Sequence, residues 1–438
     1  MRFIDLFSGL GGFHCAATQL GGECVFASEI DESLRDLYQK NFGFRPAGDI
    51  TTVKISDIPP HDLLCAGFPC QPWSKAGEQV GWGDKRRGTV FWNIIEILEA
   101  RKPKAVLLEN VAHFVRHDNG NTYRKVREAL ENQGYAVDHR QFSPHQFRIP
   151  QIRERFYMVG VRGSLSRFRW PDIETTAGEV SIHSVLDRHP EGALGLSPQV
   201  IQCLDIWQEF LDRLPEPIKL PSFPIWAMEF GATYPYNKDH LRDTPLSMLQ
   251  AARGCFGISM TGFTRDQIMS ALPSHARRPG IAFPQWKKTF LRQNRDFYRE
   301  HKARLHDWLP KLVSLPSSLQ KFEWNCQHEP RNLWKLVIQF RASGVRVKRD
   351  NTAPSLVAMT STQVPIIAWE RRYMTVKECA RLQSLAVLKN LPSGAASVRA
   401  LGNAVNVTVA RRILKQLLPL LPKSNARTIQ LASVRNLH

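Results

Sequence analysis

Short apolar runs alternate with amphipathic segments along the first part of the chain, up to about residue 160. A short apolar run is typical of a buried strand, whereas apolar residues spaced three and four apart predict a helix. Alternating strands and helices predict an α/β fold with a mostly parallel sheet. The predicted strands are Phe3–Phe7, Cys24–Ser28, Leu63–Ala66, Ala105–Leu108 and Arg155–Val161, and the predicted helices between them are Ser33–Asn41, Val90–Ala100 and Asn121–Gln133.

The pattern becomes irregular after about Trp170, where prolines accumulate between aromatic residues. Proline lacks an amide donor and interrupts regular structure. The proline pattern therefore predicts a second, smaller domain with much irregular structure, which extends to about residue 365. Helices are predicted within it at 199–213 and 285–308. Two more are predicted after it, at Thr375–Leu385 and Asn403–Leu418.

The 438 residues are sufficient for two or three domains with sizeable cores. No apolar run reaches about 18 residues and no secretory signal precedes the first strand, so we expect no contact with a membrane. The eight cysteines are scattered, without a C-x-x-C pair or the spacing of a zinc site. This predicts reduced, mostly buried thiols, a cytoplasmic location and no metal.

Basic residues outnumber acidic ones by 59 to 40, which gives a net charge of +19. The excess is uneven, because residues 271–350 hold 17 basic and 6 acidic side chains. Residues 411–438 hold six basic side chains and no acidic one. A concentrated positive charge favours a polyanionic partner, and we expect nucleic acid rather than a membrane surface.

The segment Asp5–Phe13 joins the first predicted strand to a helix through a glycine-rich turn. Such turns let a ligand approach the backbone, and the helix start offers free amide groups. Glu29, after the second strand, is placed to accept from ribose hydroxyls, and Asp49, expected after a third strand, from an adenine amine. Phe7 is suited to stack on a purine. With no second phosphate-binding feature, these residues predict a nucleoside cofactor without pyrophosphate, such as S-adenosylmethionine.

The segment Gly67–Ser74 places Cys70 where a buried strand gives way to a loop, the position at which α/β sheets carry their chemistry. Glu109 follows the apolar run Ala105–Leu108 and is expected at the same rim. A carboxylate does not activate a neighbouring thiolate, because like charges repel. It is useful there if it touches the substrate or shares a proton with a ring nitrogen. The alternative for Glu109 is a solvated carboxylate at a loop start.

Gln151–Arg155 opens the last predicted strand and contains Arg153 and Arg155. Side chains at i and i+2 on a strand point to one face, where two guanidinium groups can bind a base carbonyl or a phosphate. Their charge can also depress the pKa of the Cys70 thiol. The alternative is a surface strand with solvated charges.

Eight segments in order resemble the DNA (cytosine-5) methyltransferases, especially the bacterial type II modification enzymes. They are DLFSGLGGF (5–13), Glu29, GDI (48–50), GFPCQPWS (67–74), ENV (109–111), QIRER (151–155), ECARLQ (378–383) and GNAVNV (402–407). The resemblance covers most of residues 1–165 and 370–410. It implies the Rossmann-like fold of S-adenosylmethionine-dependent methyltransferases, with helices on both sheet faces, plus a smaller target-recognition domain.

The resemblance implies a mechanism in which Cys70 adds to C6 of a cytosine flipped out of double-stranded DNA. Glu109 would engage N3 and the exocyclic amine, and C5 would take the methyl group of S-adenosylmethionine. Arg153 and Arg155 would hold the base and a phosphate. DNA phosphates would be met by Ser74, Lys75, Arg86 and Arg87, in the loop after the nucleophile.

The resemblance also implies which residues contact the cofactor. They are Phe7, Ser8, Gly9, Leu10, Gly11, Gly12, Glu29, Ile30, Asp49, Ile50 and Asn403. The chain departs from the family pattern at Asn406-Val407, which replaces a frequent double proline. It would divide into a catalytic domain at 1–165 and 400–438 and a DNA-reading domain at 166–399, which includes the 375–385 helix. The resemblance implies a monomer in a bacterium or phage, and family habit pairs such an enzyme with a restriction endonuclease.

A tRNA cytosine-5 methyltransferase would share Cys70 and Glu109, but it would have a shorter and less basic insert between Arg155 and Arg381. A DNA-binding regulator without activity is disfavoured because Cys70, Glu109 and Arg153 are all present. A nicotinamide oxidoreductase is disfavoured because no second nucleotide site is visible. The target sequence cannot be read, and residues 166–365 offer only candidate base contacts: Arg341, Arg346, Lys348 and Arg349.

Overall fold

The computed structural model describes residues 1–69, 90–236, 241, 243–277, 283–356, 363–394 and 396–421. The chain divides into two compact units. The first unit comprises Met1–Glu179 and Ala380–His438, and the second unit comprises Val180–Cys379. The boundary at 379/380 lies inside the helix predicted at 375–385, which the family resemblance places whole in the DNA-reading domain.

The first unit is built on a six-stranded sheet in the order β2-β1-β3-β4-β7-β5. Strands β1 to β4 run parallel, and β7 pairs antiparallel with both β4 and β5. The predicted α/β class with a mostly parallel sheet is therefore confirmed. The strands of this unit are β1 (Arg2–Leu6), β2 (Glu23–Ser28), β3 (Leu63–Gly67), β4 (Ala105–Val111), β5 (Tyr135–Phe142), β6 (Gln151–Ile152) and β7 (Arg155–Arg162).

The central strands are buried on both faces, which explains why they stand out as apolar runs. Leu63 to Ala66 in β3 and Ala105 to Leu108 in β4 have no exposed surface. Alternate side chains of these strands pack with the apolar sides of the helices after β3 and β4 in one hydrophobic cluster. Parallel strands covered by helices on their faces read as continuous hydrophobic runs for this reason.

The helices of the first unit agree with the predicted ones except near the C-terminus. They are α1 (Gly12–Thr18), α2 (Glu32–Phe42), α3 (Val90–Arg101), α4 (Asn121–Asn132), α10 (Ala396–Asn403) and α11 (Val407–Leu417), and α9 (Val376–Leu382) spans the boundary between the units. The helix predicted at Asn403–Leu418 corresponds to α11 but begins too early, because the chain is not helical between Asn403 and Val407. Asn406 has an extended backbone there, with φ −71° and ψ 119°, and starts α11 as its N-cap.

The second unit contains its own six-stranded sheet in the order β14-β13-β10-β11-β9-β8, and all of its neighbouring strands are antiparallel except β9 and β11. Its hydrophobic core gathers around Trp207, Trp308 and Phe322. The strands of this unit are β8 (Ile225–Trp226), β9 (Lys321–Trp324), β10 (Val337–Arg341), β11 (Gly344–Lys348), β12 (Ala353–Pro354), β13 (Ile366–Ile367) and β14 (Arg372–Tyr373). Its helices are α5 (Pro198–Asp212), α6 (Leu246–Gln250), α7 (Arg265–Ala271) and α8 (Gln285–Leu305).

Candidate active site and cofactor loop

The turn between β1 and α1 adopts a conformation that requires its glycines. Gly9 and Gly11 have φ of 53° and 78°, in the left-handed region that side chains disfavour. A Cβ on Gly12 would lie 2.4 Å from the carbonyl oxygen of Val405, which follows α10. The turn is therefore fixed both by its own backbone and by the close approach of the chain between α10 and α11.

The carboxylate of Glu29 closes this turn from the end of β2. Its Oε2 accepts a hydrogen bond from the Gly9 amide at 2.8 Å, and its Oε1 accepts one from the Asp31 amide at 2.9 Å. Each carboxylate oxygen has lone pairs beyond the one used here. Glu29 can thus hold the loop and still accept hydrogen bonds from a ligand, which is the arrangement that its predicted ribose contact needs.

The remaining predicted cofactor residues differ in exposure. Leu10 and Ile50 are buried, whereas the Ile30 side chain is 73% exposed at the surface of the first unit. Asp49 does not follow a third strand as expected, because it precedes β3. Its side chain accepts from the Thr51 amide at 2.9 Å and caps a single 3-10 turn at Ile50–Thr52.

Asp5 lies beneath the loop and was not singled out from the sequence, although it belongs to the glycine-rich segment. Its Oδ2 accepts the amide of His14, in the first turn of α1, at 3.2 Å. Burial raises the pKa of this carboxyl well above its usual range, and the nearby charge of Glu29 raises it further. Asp5 therefore ties the start of α1 to the sheet as a carboxyl that favours its protonated form.

Glu109 lies in β4 with 8% of its surface exposed and is paired with an arginine of the neighbouring strand. The Arg155 Nε lies 3.2 Å from Glu109 Oε1. Burial raises the pKa of the Glu109 carboxyl, while the charges of Arg155 and then Arg153 lower it, and the net shift is upward. The group is thus prepared to hold a proton at a higher pH than an ordinary glutamate.

Arg153 is buried beside this pair, but it is not on a strand. It lies between β6 and β7, so the predicted i and i+2 alignment of Arg153 and Arg155 on one strand is wrong. The Arg153 amide donates to Ser143 Oγ at 2.9 Å, and its Nη2 donates to the carbonyl of Ala404 at 3.2 Å. Burial lowers the pKa of Arg153 to about 9, and the charge of Arg155 contributes in the same direction.

The end of β3 lies beside Glu109, shortly before the predicted nucleophile in the sequence. Gly67 is the register partner of Glu109, and a Cβ on Gly67 would lie 3.7 Å from Glu109 Oε2. Asn110 Nδ2 donates to the Phe68 carbonyl at 3.0 Å and fixes the next residue. The predicted residues Cys70, Ser74, Lys75, Arg86 and Arg87 all lie outside the described residues.

Asn403, the last predicted cofactor residue, is exposed at the final position of α10. The Asn406 side chain nearby is buried and makes two hydrogen bonds. Its Oδ1 accepts from the Val409 amide at 3.1 Å, and its Nδ2 donates to the Leu382 carbonyl at 3.0 Å. Asn406, which replaces a proline frequent in the family pattern, thus acts as the N-cap of α11, a role that a proline side chain cannot fill.

Three of the four candidate base contacts in the second unit, the arginines, are engaged with neighbouring side chains. Arg346 Nη2 lies 2.7 Å from Glu323 Oε2, and Arg349 Nε lies 3.3 Å from Glu329 Oε1. Arg341 Nε donates to Gln339 at 2.7 Å. Burial is the main cause of a lowered pKa at Lys348. Their selection as DNA-reading residues stays a prediction.

Metal-binding groups and membrane-spanning helices are both absent from the described part of the chain. Within it, no group of three or more histidine, cysteine, aspartate or glutamate side chains is placed to hold a metal ion. No helix among the same residues is long and apolar enough to cross a membrane.

Comparison with known proteins shows the family to which the chain is related. Residues 1–210 match the family model of the C-5 cytosine-specific DNA methylases. The chain is 33% identical to the type II methyltransferase M.AluI of Cellulosimicrobium cellulans, over 94% of this chain and 91% of that protein. It is 46% identical to the type II methyltransferase M.HhaI of Haemophilus parahaemolyticus, over 39% of this chain and 53% of that protein.

A solved structure supports the fold alone. It is a prophage-encoded protein of E. coli described as a DNA modification methyltransferase, with a TM-score of 0.51 and 18% sequence identity. The likeness covers 96% of this chain and 99% of that one.

Proposed function

The chain belongs to the C-5 cytosine-specific DNA methylases, and from this premise we propose that it methylates C5 of cytosine at specific sequences in double-stranded DNA, with S-adenosylmethionine as the methyl donor. The observation that carries the catalytic part of the proposal is the buried Glu109–Arg155 pair. The Arg155 Nε and Glu109 Oε1 atoms are 3.2 Å apart. The pair lies beside the end of β3, which is three residues before Cys70 in the sequence.

The chemistry requires a nucleophile and a proton donor, because C5 of cytosine is unreactive until a group adds at C6. We propose that the Cys70 thiolate forms a bond to C6 and that Glu109 gives a proton or a hydrogen bond to N3, which receives the displaced electrons. C5 then accepts the methyl group. Solvent water takes the C5 proton, N3 returns its proton to the Glu109 carboxylate, and breakage of the Cys70–C6 bond restores the aromatic ring and the thiolate.

The raised pKa of Glu109 fits this role. A carboxyl that donates to N3 must keep its proton near neutral pH, and burial favours the uncharged form. Arg155 limits the shift and orients the carboxyl, so that the proton remains transferable. Arg153, fixed through Ser143 and Ala404, is suited to hold the oxygen of the base.

The residues of the glycine-rich turn fit a nucleoside cofactor. The hydroxyl of Ser8 is buried without a hydrogen-bond partner among the described residues, and such groups are usually satisfied by a ligand or a water. Phe7 is half-buried with φ 55° at the mouth of the turn, and Glu29 faces the Gly9 amide. When bound there, S-adenosylmethionine supplies the methyl group, while Phe7, Glu29 and Asp49 hold the nucleoside.

A cytosine stacked within a duplex cannot present C6 to a side chain. We therefore propose that the target base is flipped out of the helix, at a cost of a few kcal/mol. The loop that contains Ser74, Lys75, Arg86 and Arg87 would contact the phosphates around the vacated position. A monomer in the cytoplasm, working beside a restriction endonuclease of the same specificity, is consistent with the type II relatives.

The test is transfer of a labelled methyl group from S-adenosylmethionine to duplex DNA and, separately, to tRNA. We expect transfer to DNA, and transfer to tRNA alone would overturn the choice of substrate. Cys70→Ser should reduce turnover by several orders of magnitude while duplex binding survives. Cys255→Ser, the same change in the second unit, serves as the control and should leave turnover near that of the unchanged protein.

Covalent addition has an independent test. DNA with 5-fluorocytosine at the target should trap the protein, because the fluorine cannot leave as the C5 proton does. Absence of an adduct with an otherwise active protein would contradict addition at C6. Bisulfite sequencing of DNA from a host that expresses the protein would identify the sequence in which cytosine is methylated.

A further inference from the structure

The second unit carries a row of aromatic rings on and beside α8. The centroids of the Trp286 and Phe290 rings are 5.7 Å apart, and those of Phe290 and Trp226 are 5.8 Å apart. The Trp226 ring lies 4.9 Å from that of His275. We call these four residues the aromatic row. Trp286, at one end, is 56% exposed, whereas the other three are half-buried.

A lysine lies over a ring near each end of the aromatic row. The Lys287 Nζ is 5.6 Å from the Trp286 ring, and the Lys321 Nζ is 5.7 Å from the Trp226 ring. Ammonium groups at this distance are attracted by the electron-rich faces of the rings. The rings therefore hold two cations at defined positions instead of leaving them at the ends of freely moving side chains.

The two lysines also affect each other. Burial lowers the pKa of Lys321, and the charge of Lys287 lowers it further, so the two ammonium groups are close enough to repel. An anion placed near both would relieve this repulsion. A large exposed indole beside paired cations is suited to a ligand with an anionic and an apolar part, because it would cover both.

The surrounding charge favours a polyanion. Lys288 and Arg292 follow Lys287 on α8, and the first turn of the helix contains no acidic residue. The segment 271–350, which includes α8 and Lys321, has 17 basic and 6 acidic side chains. Nucleic acid offers phosphates at regular spacing next to the apolar faces of sugars, and this combination matches paired lysines beside an indole.

We propose that the aromatic row with Lys287 and Lys321 is a contact surface for the phosphate backbone of duplex DNA, which it binds irrespective of sequence. The lysines would neutralise phosphates and Trp286 would pack on the adjoining sugars. The choice of duplex DNA as occupant rests on the proposed function. The surface contributes affinity and positioning, while base recognition is left to other residues of the second unit.

The experiment measures binding of a mixed-sequence duplex over a series of salt concentrations. Each phosphate contact contributes about 0.9 to the slope of log K against log salt, so Lys287→Gln with Lys321→Gln should lower the slope by about 1.8. Trp286→Ala should weaken binding about fivefold or more at an unchanged slope, because it removes an apolar contact. Lys311→Gln is the matched control, since Lys311 pairs with Glu209 on another part of the second unit.

Two further measurements separate the outcomes. The double arginine variant, Lys287→Arg with Lys321→Arg, retains the charge and should retain the slope, which excludes misfolding as the cause of a loss. With DNA as the varied substrate, the glutamine pair should raise KM and leave kcat near that of the unchanged protein. The proposal is overturned if the Lys287→Gln, Lys321→Gln pair has the same salt slope as Lys311→Gln. It is also overturned if the pair weakens binding of tRNA but not of duplex DNA. If the unchanged protein transfers no methyl group to DNA, the proposed function fails, while the binding slopes still decide the role of the surface.

Discussion

Glu109 shares a buried corner of the first unit with two arginines, and its protonation should control the rate. Because burial raises its pKa, the protonated carboxyl persists to higher pH than usual, and kcat should fall as pH rises through that pKa. The charge of Arg155 lowers the pKa, so Arg155→Gln should raise it further. The alkaline fall of the kcat profile should then move to higher pH, whatever the loss in absolute rate.

The control for this pH shift is Arg148→Gln, which removes the same charge from a 72% exposed side chain of the first unit. Its pH profile should coincide with that of the unchanged protein. A profile of Arg155→Gln that has lost amplitude but kept its alkaline midpoint would show that the titrating group is not Glu109.

Asp5 makes a separate prediction about stability. Its pKa in the folded protein is above the value in the unfolded chain, so its contribution to stability is complete at acidic pH. That contribution declines as pH rises, by about 1.4 kcal/mol for each pH unit over which only the folded state keeps the proton. Asp5→Asn keeps an oxygen for the His14 amide and cannot ionise, so it should remove this decline.

Urea unfolding of Asp5→Asn at a series of pH values would measure the effect. The free energy of unfolding of the variant should fall less between acidic and mildly alkaline pH than that of the unchanged protein. Asp138→Asn, at an exposed position of the same unit, is the control and should leave the slope unaltered. Parallel slopes for all three proteins would mean that Asp5 is ionised in the folded state.

At the scale of single residues, the sequence predicted only part of this arrangement. It placed Glu109 and Arg155 at one rim, and they meet there because β7 runs antiparallel to β4, so that the start of β7 lies beside the end of β4. It placed Arg153 on the same strand as Arg155, which is wrong because a break between β6 and β7 contains Arg153. It also did not identify Ser143 or Ala404, which hold Arg153, because nothing in the local pattern marks a distant hydrogen-bond partner.

At the scale of elements, the close approach of α1 to the chain after α10 should be intolerant of a single methyl group. Alanine is a better helix former than glycine by about 1 kcal/mol, yet a Cβ on Gly12 would lie 2.4 Å from the carbonyl oxygen of Val405. Because that neighbour is backbone, the clash should prevail and Gly12→Ala should cost about 1–3 kcal/mol of stability. Thermal or urea unfolding would measure the loss.

Gly48→Ala is the matched control in the same unit, since the nearest atom to its added Cβ is a side-chain nitrogen of Arg35 at 3.8 Å. We expect it to change the free energy of unfolding by no more than a few tenths of a kcal/mol or to raise it slightly. If Gly12→Ala and Gly48→Ala change the free energy of unfolding equally, α1 and the segment around Val405 separate easily.

The N-cap of α11 gives a second test at this scale. Asn406→Ala removes the acceptor of the Val409 amide and the donor to the Leu382 carbonyl, both buried. The loss should be about 2–3 kcal/mol, because an unsatisfied buried carbonyl adds to the usual cost of a lost cap. Ser197→Ala, which removes the exposed cap of α5, should cost only about 1 kcal/mol in the same urea titration.

The comparison of predicted and observed elements has a physical explanation. Strands β1, β3, β4 and β7 were found because burial on both faces makes them continuously apolar. β5 was missed because it is an edge strand in which only the first and last residues, Tyr135 and Phe142, are buried, and most residues between them are polar. The start of α11 was predicted too early because the apolar spacing continues through the residues before it, and only the capping role of Asn406 marks the first residue of the helix.

At the scale of the whole molecule, the sequence predicted two domains from the change in pattern after Trp170, and the structure divides at 179/180 and 379/380. The first unit is assembled from both ends of the chain, because α11 packs with α1. Such long-range pairing cannot be read from local periodicity. It followed only from the resemblance of the C-terminal motif to a family in which this segment reaches the cofactor.

The continuity of the second unit predicts that it folds alone. Residues 180–379 contain a complete sheet and a core in which Trp207 stacks on Phe322 at 4.7 Å. Its C-terminal end is held internally, since Glu378 accepts hydrogen bonds from Arg372 at 2.8 and 2.9 Å and from the Asp187 amide at 2.9 Å. The isolated segment should therefore unfold cooperatively in urea.

A matched variant makes this fragment experiment decisive. Trp207 has no exposed surface, so Trp207→Ala in the isolated segment should cost about 3–5 kcal/mol and abolish the cooperative transition. The unchanged segment should bind mixed-sequence duplex DNA with a salt dependence that reflects Lys287 and Lys321, yet transfer no methyl group, because Glu109 and the cofactor turn belong to the first unit. A segment without cooperative unfolding would show that its core depends on the first unit. A folded segment that does not bind DNA would instead assign the DNA affinity of the protein to residues of the first unit.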